Sequence, residues 1–534
     1  MLQIKIEQTN RIEKETGLTC LDDCIATLAH YYGCHYEMMY ANGFAVLGSS
    51  GEYRFASSYF IRLVNGPRNL TDYHGLTLHR KEFYTKRRVK KLIRSEIEEG
   101  RPVLLLFDPF WCPWDWGFQQ YSNEEGHCFL VSDITDRGLV CVDPYFEKEA
   151  ELLPFEYFQK GIRGIYLVEY TGERSVSAGE YKKCLEKLFV NCRNQKYFEG
   201  LHSFIDEIAY REDIFNEVQS DELFWRSPLV GILLRMNQSI QSISGFVRYV
   251  AEQLGNEDLL ALGDRIWNLA ITWKQARKLI TKLYFMKRPD ECLKEKTVQK
   301  MRLVVQELET MPERIQDIFG KENCVKESVK IKVEKSGKTP LMAGNGACSR
   351  QLDLTCWMNN KAFMYVEDLE KDNWKADFSS IGHCYLLDDE EHRRDIWQAG
   401  GIAFAMGAVY GNEKDNIVCD GQKIPVGWKG CQSLALIGSA EFGCSTEIMR
   451  ITGEDGQEYE MEFHMTDYIY EPYYGETVAW TGKGAYKKED GYEIMPETLY
   501  LYSQTYALPI ENISFLELPI NPSIHIFGIT FICG

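Results

Sequence analysis

Long apolar runs and positive charge are both scarce in this chain of 534 residues. No stretch of about 18 consecutive apolar residues occurs, so the sequence predicts no membrane-spanning helix. Residues 1–7, MLQIKIE, lack the apolar core of a secretory signal peptide, and we therefore expect a cytoplasmic protein. Lys and Arg number 60 against 79 Asp and Glu, and the resulting net charge of −19 argues against general nucleic-acid binding.

Cysteine is plentiful, but it lacks the spacing of a metal site or a disulfide framework. The 17 cysteines include no CxxC pair, and His and Cys residues do not converge at zinc spacing. We therefore expect no metal, and we expect mostly reduced cysteines in the core. The apolar content of 45% and the charged content of 26% are typical of a globular chain, whose length suggests about three domains.

The composition changes twice along the chain, which predicts domains at 1–172, 176–333 and 336–534. Residues 1–172 alternate helical and strand-like segments. Residues 176–333 contain little Gly or Pro and carry long amphipathic patterns, which predict an all-α domain. Residues 336–534 are rich in Gly, aromatic and β-branched residues with recurring turn signals, which predict an all-β sandwich or jelly roll. The predicted fold class of the whole chain is α+β.

Three short motifs in the first 150 residues carry the candidate chemistry, and the first is a helix start. Thr19 followed by Asp22 three residues later is typical of a capping box, which places Cys20 in the first turn of a helix. The helix dipole at that position lowers the pKa of a thiol. Cys24 lies one turn further along, on the apolar face, where an inert buried cysteine is expected. The alternative for Cys20 is the same inert role.

The second and third motifs each lie at the end of a predicted strand. His127 opens a strand after Gly126, and Asp143 ends the next strand before Pro144. A cysteine, a histidine and a carboxylate in this setting suit a nucleophile, its base and the group that orients the base. The alternatives are a structural histidine and a turn-forming Asp-Pro pair.

These motifs resemble those of a known family. They are similar to the papain-like domain of bacteriocin-leader peptidases, and more closely to the N-terminal domain of the butirosin-biosynthesis protein H-like family. The similarity extends over about the first 330 residues, because a helical segment follows the papain-like domain in that family. The matching pieces are Cys20-x3-Cys24, Tyr31-Tyr32-Gly33, Gly126-His127, Val142-Asp143-Pro144 and the proline-aromatic loop 107–116.

The resemblance implies a papain-like cysteine-peptidase fold with Cys20, His127 and Asp143 as a triad. It also implies an acyltransferase that moves an acyl group from a carrier-protein thioester to an amine. No cofactor of its own is then expected, because phosphopantetheine arrives on the acyl or peptidyl carrier protein. Leader peptidases have an oxyanion-hole Gln six residues before the cysteine, whereas this chain has Lys14. This departure weakens the peptidase interpretation more than the transferase interpretation.

The loop 107–118 is unusually rich in aromatic residues. We predict that Trp111, Trp114 and Trp116 line the acyl pocket and keep water from the acyl-enzyme, which would favour transfer to an amine over hydrolysis. The alternative is that the loop only packs beneath the helical domain.

A basic run stands out in this acidic chain. Because carrier proteins are generally acidic, we predict that Arg87, Arg88, Lys90 and Lys91 dock one. The alternative is an ordinary solvated helix face.

The sequence thus predicts a cysteine-dependent acyltransferase or amide synthase of secondary metabolism, with a small amine as acceptor. A cysteine peptidase or thioesterase with the same triad is the first alternative, and a non-catalytic binding scaffold is the second. We expect no nucleic-acid or membrane partner. A homodimer is left open.

Overall fold

The computed structural model describes most of the chain, and its helices (39%) and strands (35%) confirm the predicted mixture of both. None of the helices in the described part of the chain is long and apolar enough to cross a bilayer. The described residues are 4–7, 19–41, 46–49, 59–62, 67–81, 86–122, 126–194, 197–211, 227–321, 348–369, 376–388, 392, 394–407, 413–488 and 491–534.

Contacts divide these residues into two compact units. The first draws on Met1–Tyr210, Phe224–Lys274 and Met301–Ser328. The second draws on Arg211–Leu223, Gln275–Lys300 and Val329–Gly534. The division into three domains at 1–172, 176–333 and 336–534 stays a prediction.

The helices follow one another closely in the middle of the chain. They are α1 (Cys20–Tyr32), α2 (Pro67–His74), α3 (Lys86–Glu98), α4 (Phe155–Gly161), α5 (Ala178–Asn194), α6 (Tyr197–Tyr210), α7 (Pro228–Leu254), α8 (Glu257–Met286), α9 (Glu291–Glu309) and α10 (Met311–Lys321). Short 3-10 helices span Glu37–Tyr40, Pro109–Trp111, Thr355–Trp357 and Val366–Asp368.

Eight of the strands belong to the first unit, and six of them form one antiparallel sheet in the order β3-β8-β4-β5-β6-β7. The remaining two form a separate antiparallel pair. The eight are β1 (Val46–Ser49), β2 (Tyr59–Arg62), β3 (Leu76–Lys81), β4 (Val103–Phe107), β5 (His127–Ile134), β6 (Gly138–Asp143), β7 (Lys148–Pro154) and β8 (Ile162–Tyr170).

The middle strands of this sheet form its core. Nearly every side chain of β4 and β5 is buried, and in the sequence β4 is a continuous apolar run while β5 contains the apolar run 128–131. The edge strands β3 and β7 are rich in Lys, Arg and Glu, which is how proteins keep sheet edges from pairing with other chains. The sheet therefore holds the end of β6 firmly beside the beginning of β5.

Helix α1 packs against this sheet and begins as its sequence predicts. The Thr19 hydroxyl accepts a hydrogen bond from the backbone N–H of Asp22 at 3.2 Å, and the Asp22 carboxylate accepts one from the backbone N–H of Thr19 at 3.2 Å. The helix ends at Gly33, whose φ of 67° is the left-handed conformation that favours glycine. Cys24 lies fully buried on the inner face.

The other helices also match the amphipathic pattern of the sequence. Helix α7 follows Ser227, whose hydroxyl caps it by accepting from the backbone N–H of Val230. The amphipathic segment 296–319 is divided between α9 and α10. Pro312 is the second residue of α10 and has no backbone N–H, so it cannot continue the helical hydrogen bonds of α9. Proline fits the first turn of a helix, and a new helix therefore begins here.

The second unit is built on two large sheets, which confirms the predicted C-terminal β-sandwich. A nine-stranded sheet and a four-stranded sheet bury a large apolar core. The strands are β9 (Cys348–Gln351), β10 (Phe363–Tyr365), β11 (His383–Leu387), β12 (Ile396–Ala399), β13 (Ile402–Ala405), β14 (Ile417–Asp420), β15 (Lys423–Trp428), β16 (Cys431–Ala440), β17 (Ser445–Gly453), β18 (Glu458–Met465), β19 (Thr477–Lys488), β20 (Gly491–Ile494), β21 (Leu499–Ala507), β22 (Ile513–Glu517) and β23 (Ile520–Cys533).

A single pair of cysteines is joined among the described residues of this unit. Cys431 and Cys533, opposite each other in the neighbouring strands β16 and β23, form a disulfide. The other described cysteines of the unit are free thiols, of which Cys384, Cys419 and Cys444 are buried and Cys292, Cys348 and Cys356 are exposed. The expected reduced state stays a prediction.

Candidate active site

The sulfur of Cys20 lies where α1 meets strand β5. Because Cys20 is the first residue of α1, its side chain stands at the positive end of the helix dipole. The backbone N–H of Cys128, on β5, donates a hydrogen bond to Cys20 Sγ at 3.4 Å. Helix and strand together therefore hold the thiol at the strand end that carries His127.

His127 and Asp143 are neighbours across the hairpin of β5 and β6. His127 Nε2 lies 2.5 Å from Asp143 Oδ2, and both side chains are buried. Because Nε2 is bonded to Asp143, Nδ1 is the nitrogen that can exchange a proton with Cys20. Gly126 brings the chain into β5 with a φ of +75°, and a Cβ there would lie 2.7 Å from Leu106 Cδ1. Only glycine fits at position 126 without strain, and a larger residue there would displace the start of β5 and with it His127.

Asp143 is fully buried, and both of its carboxylate oxygens are occupied. Oδ2 accepts from Trp114 Nε1 at 2.7 Å in addition to His127. Oδ1 accepts from the backbone N–H groups of Tyr145 and Phe146 at 3.1 and 3.3 Å. Four contacts around one carboxylate hold it in one orientation.

Aromatic rings surround the imidazole of His127. Its ring centroid lies 5.8 Å from those of Phe129 and Tyr145 and 5.1 Å from that of Phe146. Trp114 packs edge-on against Phe129 with a centroid separation of 5.3 Å. This packing limits the rotation of the imidazole and reduces contact with water on that side.

The pKa values of Cys20 and His127 shift in opposite directions. A hydrogen bond with the Cys128 thiol lowers the pKa of Cys20 well below its usual range; burial opposes this, and the hydrogen bond and charge of His127 add to the lowering. Burial alone would lower the pKa of His127, but Asp143 and Cys20 raise it to about 10. These directions favour a thiolate beside an imidazolium, the reactive state of a cysteine nucleophile.

The structure thus brings together the three residues that the sequence predicts as a triad. Their catalytic role stays a prediction. The position of Lys14, which takes the place of the leader-peptidase oxyanion Gln, lies outside the described residues. Within the described ranges no group of three or more His, Cys, Asp or Glu residues could hold a metal ion.

The three tryptophans of the loop 107–118 lie in different environments. Trp114 contacts the triad through Asp143. Trp116 is 76% exposed and touches Phe146 edge-on. Trp111 stands near Tyr157 of α4, under the ammonium group of Lys160. Their predicted contact with substrate stays a prediction, and for Trp114 the structure adds a hydrogen bond that orients Asp143.

Two further residues near the triad were not among the predicted site residues. Asp115 is buried, and burial raises its pKa although the Gly117 backbone N–H donates to it at 2.7 Å. Cys128 is buried directly after His127. A cysteine beside the histidine in the sequence was the available signal for Cys128, whereas none distinguishes Asp115 from other loop aspartates.

The predicted docking residues lie on α3. Arg88 and Lys91 are exposed. Lys90 instead stacks its ammonium group 3.1 Å from the centroid of the Phe155 ring, so it is partly buried. The side chain of Arg87 lies outside the described residues. Docking of a carrier protein on this helix stays a prediction.

Residues 369–533 match a family described as the AziU2-like beta-sandwich domain. That family is linked to secondary-metabolite biosynthesis. The match lies within the second unit and leaves the residues around Cys20 uncovered. No curated protein matches the chain.

One solved structure is similar only in a loose sense. It is the family GH115 4-O-methyl-alpha-glucuronidase BtGH115A, with specificity for decorated arabinogalactans. The similarity covers 66% of this chain and 41% of the glucuronidase, at 8% identity and a TM-score of 0.13. A likeness this small carries no argument about fold or activity.

Proposed function

We propose that this protein is a papain-like cysteine acyltransferase of secondary metabolism. It would move an acyl group from a carrier-protein thioester through Cys20 to an amine. The observation that carries the proposal is the Cys20 thiol at the start of α1, bonded by the backbone N–H next to His127, whose imidazole bonds a fully buried carboxylate. The resemblance of the first 330 residues to the butirosin-biosynthesis protein H-like family supports the reaction class. The family link of the second unit supports the metabolic context.

In the first half of the reaction, the Cys20 thiolate attacks the thioester carbonyl and forms a new carbon–sulfur bond. The bond to the pantetheine sulfur breaks, and His127 gives its proton to that leaving sulfur. The backbone N–H of Cys20, the first residue of α1, has no acceptor within the helix and can stabilise the oxyanion, whereas the N–H groups of Asp22 and Asp23 are bonded to Thr19. Asp143 keeps the imidazole in position throughout.

In the second half, an amine attacks the acyl group on Cys20. His127 Nδ1 takes a proton from the amine as the new carbon–nitrogen bond forms. The carbon–sulfur bond breaks, which releases an amide and restores the Cys20 thiolate. Water in place of the amine would give a free acid. The aromatic rings around His127 favour the amine because they limit the approach of water.

The test uses an acyl-N-acetylcysteamine thioester as the donor and a panel of small amines. We expect the wild type to gain the mass of one acyl group and then release amides. Cys20→Ala should not load at all, whereas Cys24→Ala, a matched change one helical turn away, should load normally. Release of free acid with every amine would favour a thioesterase, and steady cleavage of peptides would favour a peptidase. Loading of Cys20→Ala, or none in the wild type, would contradict the triad.

A further inference from the structure

Two free thiols meet at the candidate site. Cys128 follows His127 on β5 and is buried with 6% of its surface exposed. Its backbone nitrogen lies 3.4 Å from Cys20 Sγ. Because Cα is one bond beyond the nitrogen, it lies less than about 5 Å from that sulfur, and the two thiols are hydrogen-bonded to each other. Both sulfur atoms therefore lie close enough to join after a rotation of the side chains.

The two thiols differ in reactivity. A hydrogen bond with Cys128 and the charge of His127 lower the pKa of Cys20, so its thiolate is the group that an oxidant meets first. The hydrogen bond to Cys20, together with burial, raises the pKa of Cys128, which stays a thiol beside it. This difference also keeps Cys128 from competing for the acyl group.

We propose that Cys128 is a resolving cysteine that converts oxidised Cys20 into a reversible Cys20–Cys128 disulfide. The oxidant is a hydroperoxide. Its O–O bond breaks when the Cys20 thiolate attacks one oxygen, and Cys20 becomes a sulfenic acid while hydroxide or alkoxide leaves. The Cys128 sulfur then attacks the Cys20 sulfur, an S–S bond forms, and water carries away the sulfenic oxygen. A dithiol reductant restores both thiols.

Cys24 is a further thiol close to Cys20 along the chain, but helix geometry excludes it as a disulfide partner. Cys20 and Cys24 stand four residues apart on α1, where Cβ atoms are about 5–6 Å apart. A disulfide needs about 3.5–4.5 Å between its Cβ atoms. Bridging them would therefore require α1 to unwind. Cys128 approaches from the facing strand and has no such constraint.

The experiment treats the full-length protein with hydrogen peroxide, blocks free thiols with N-ethylmaleimide and maps peptides without reduction. We expect a cross-linked peptide containing Cys20 and Cys128 in the wild type. We also expect iodoacetamide labelling of Cys20 to fall at least tenfold and to return after dithiothreitol. Cys24→Ala should behave in the same way.

In Cys128→Ala, Cys20 should take up two oxygen atoms as sulfinic acid, and dithiothreitol should not restore its labelling. Cys128→Ser, closer in size, serves if the alanine variant fails to fold.

Sulfinic acid at Cys20 of the wild type with no Cys20–Cys128 peptide would overturn the inference. So would reversible protection of Cys20 in Cys128→Ala. The inference rests on the thiolate of the proposed function but not on acyl transfer. A protein that forms this disulfide yet never loads an acyl group would support the resolving role and refute the transferase.

Discussion

At the scale of single residues, Trp114 helps to hold the Asp143 carboxylate in its orientation toward His127. Its indole N–H shares Asp143 Oδ2 with His127, so replacing it by phenylalanine leaves one carboxylate oxygen held by the imidazole alone. We expect Trp114→Phe to lower kcat about tenfold with little change in KM, because a hydrogen bond to a charged group contributes about 1.5 kcal/mol. Trp116→Phe is the matched change in the same loop that removes no hydrogen bond to Asp143, so if Trp116 lines the acyl pocket its effect falls on KM and not on kcat. Equal effects of the two variants would contradict a positioning role for Trp114.

The opposite pKa shifts of Cys20 and His127 predict how the thiol responds to pH. The thiolate exists above the lowered pKa of Cys20, and its imidazolium partner persists until the pH rises through about 10. Iodoacetamide should therefore label Cys20 at a nearly constant rate across neutral pH. In His127→Ala the rate should rise later, closer to the ordinary thiol pKa of about 8.5. If the labelling rate of the wild type also rises only at about pH 8.5, Cys20 and His127 do not form a thiolate–imidazolium pair.

At the scale of elements, the start of α1 links helix stability to the reactivity of Cys20. Thr19→Ala removes the cap of α1 and should cost about 1 kcal/mol of unfolding free energy. It should also slow the labelling of Cys20, because a frayed first turn no longer aligns its backbone dipoles with the sulfur. Ser227→Ala removes the comparable cap of α7 and should cost a similar amount without altering that labelling. If both variants change the labelling equally, the effect comes from global stability.

The same elements explain how much of the structure the sequence could predict. Strands β4 and β5 could be located within one or two residues because each contains a short apolar run buried on both faces, residues 103–107 in β4 and 128–131 in β5. The polar edge strands β3 and β7 could not, because their pattern is that of a loop. Cys20, His127 and Asp143 could be proposed because each lies where a regular element begins or ends. The hydrogen bond of Trp114 could not, because it depends on the path of an irregular loop.

At the scale of the whole molecule, the charge of α3 predicts a salt-dependent partner. Arg88→Glu with Lys91→Glu should raise KM for a carrier-bound donor several-fold at low salt. The rise should be smaller in about 1 M salt, where charges are screened beyond about 3 Å. A small thioester donor should be used as before. Lys183→Glu with Lys187→Glu makes the same charge change on exposed residues of α5 and should leave both donors unaffected. If the α3 variant loses activity with both donors, Arg88 and Lys91 support the structure and do not dock a carrier protein. Lys90 is left unchanged because it stacks on Phe155.

The placement of the triad along the chain has a consequence for how the protein is made. Only 16 residues separate His127 from Asp143, so their pairing is a local event within one hairpin. Cys20, in contrast, contacts a strand that begins over 100 residues later, since 108 residues separate it from Cys128. During synthesis Cys20 leaves the ribosome long before His127 and Cys128 are made, and a loop of that length is slow to close. The nascent chain therefore carries Cys20 as an ordinary thiol, and the surroundings that lower its pKa form only after β5 has been made.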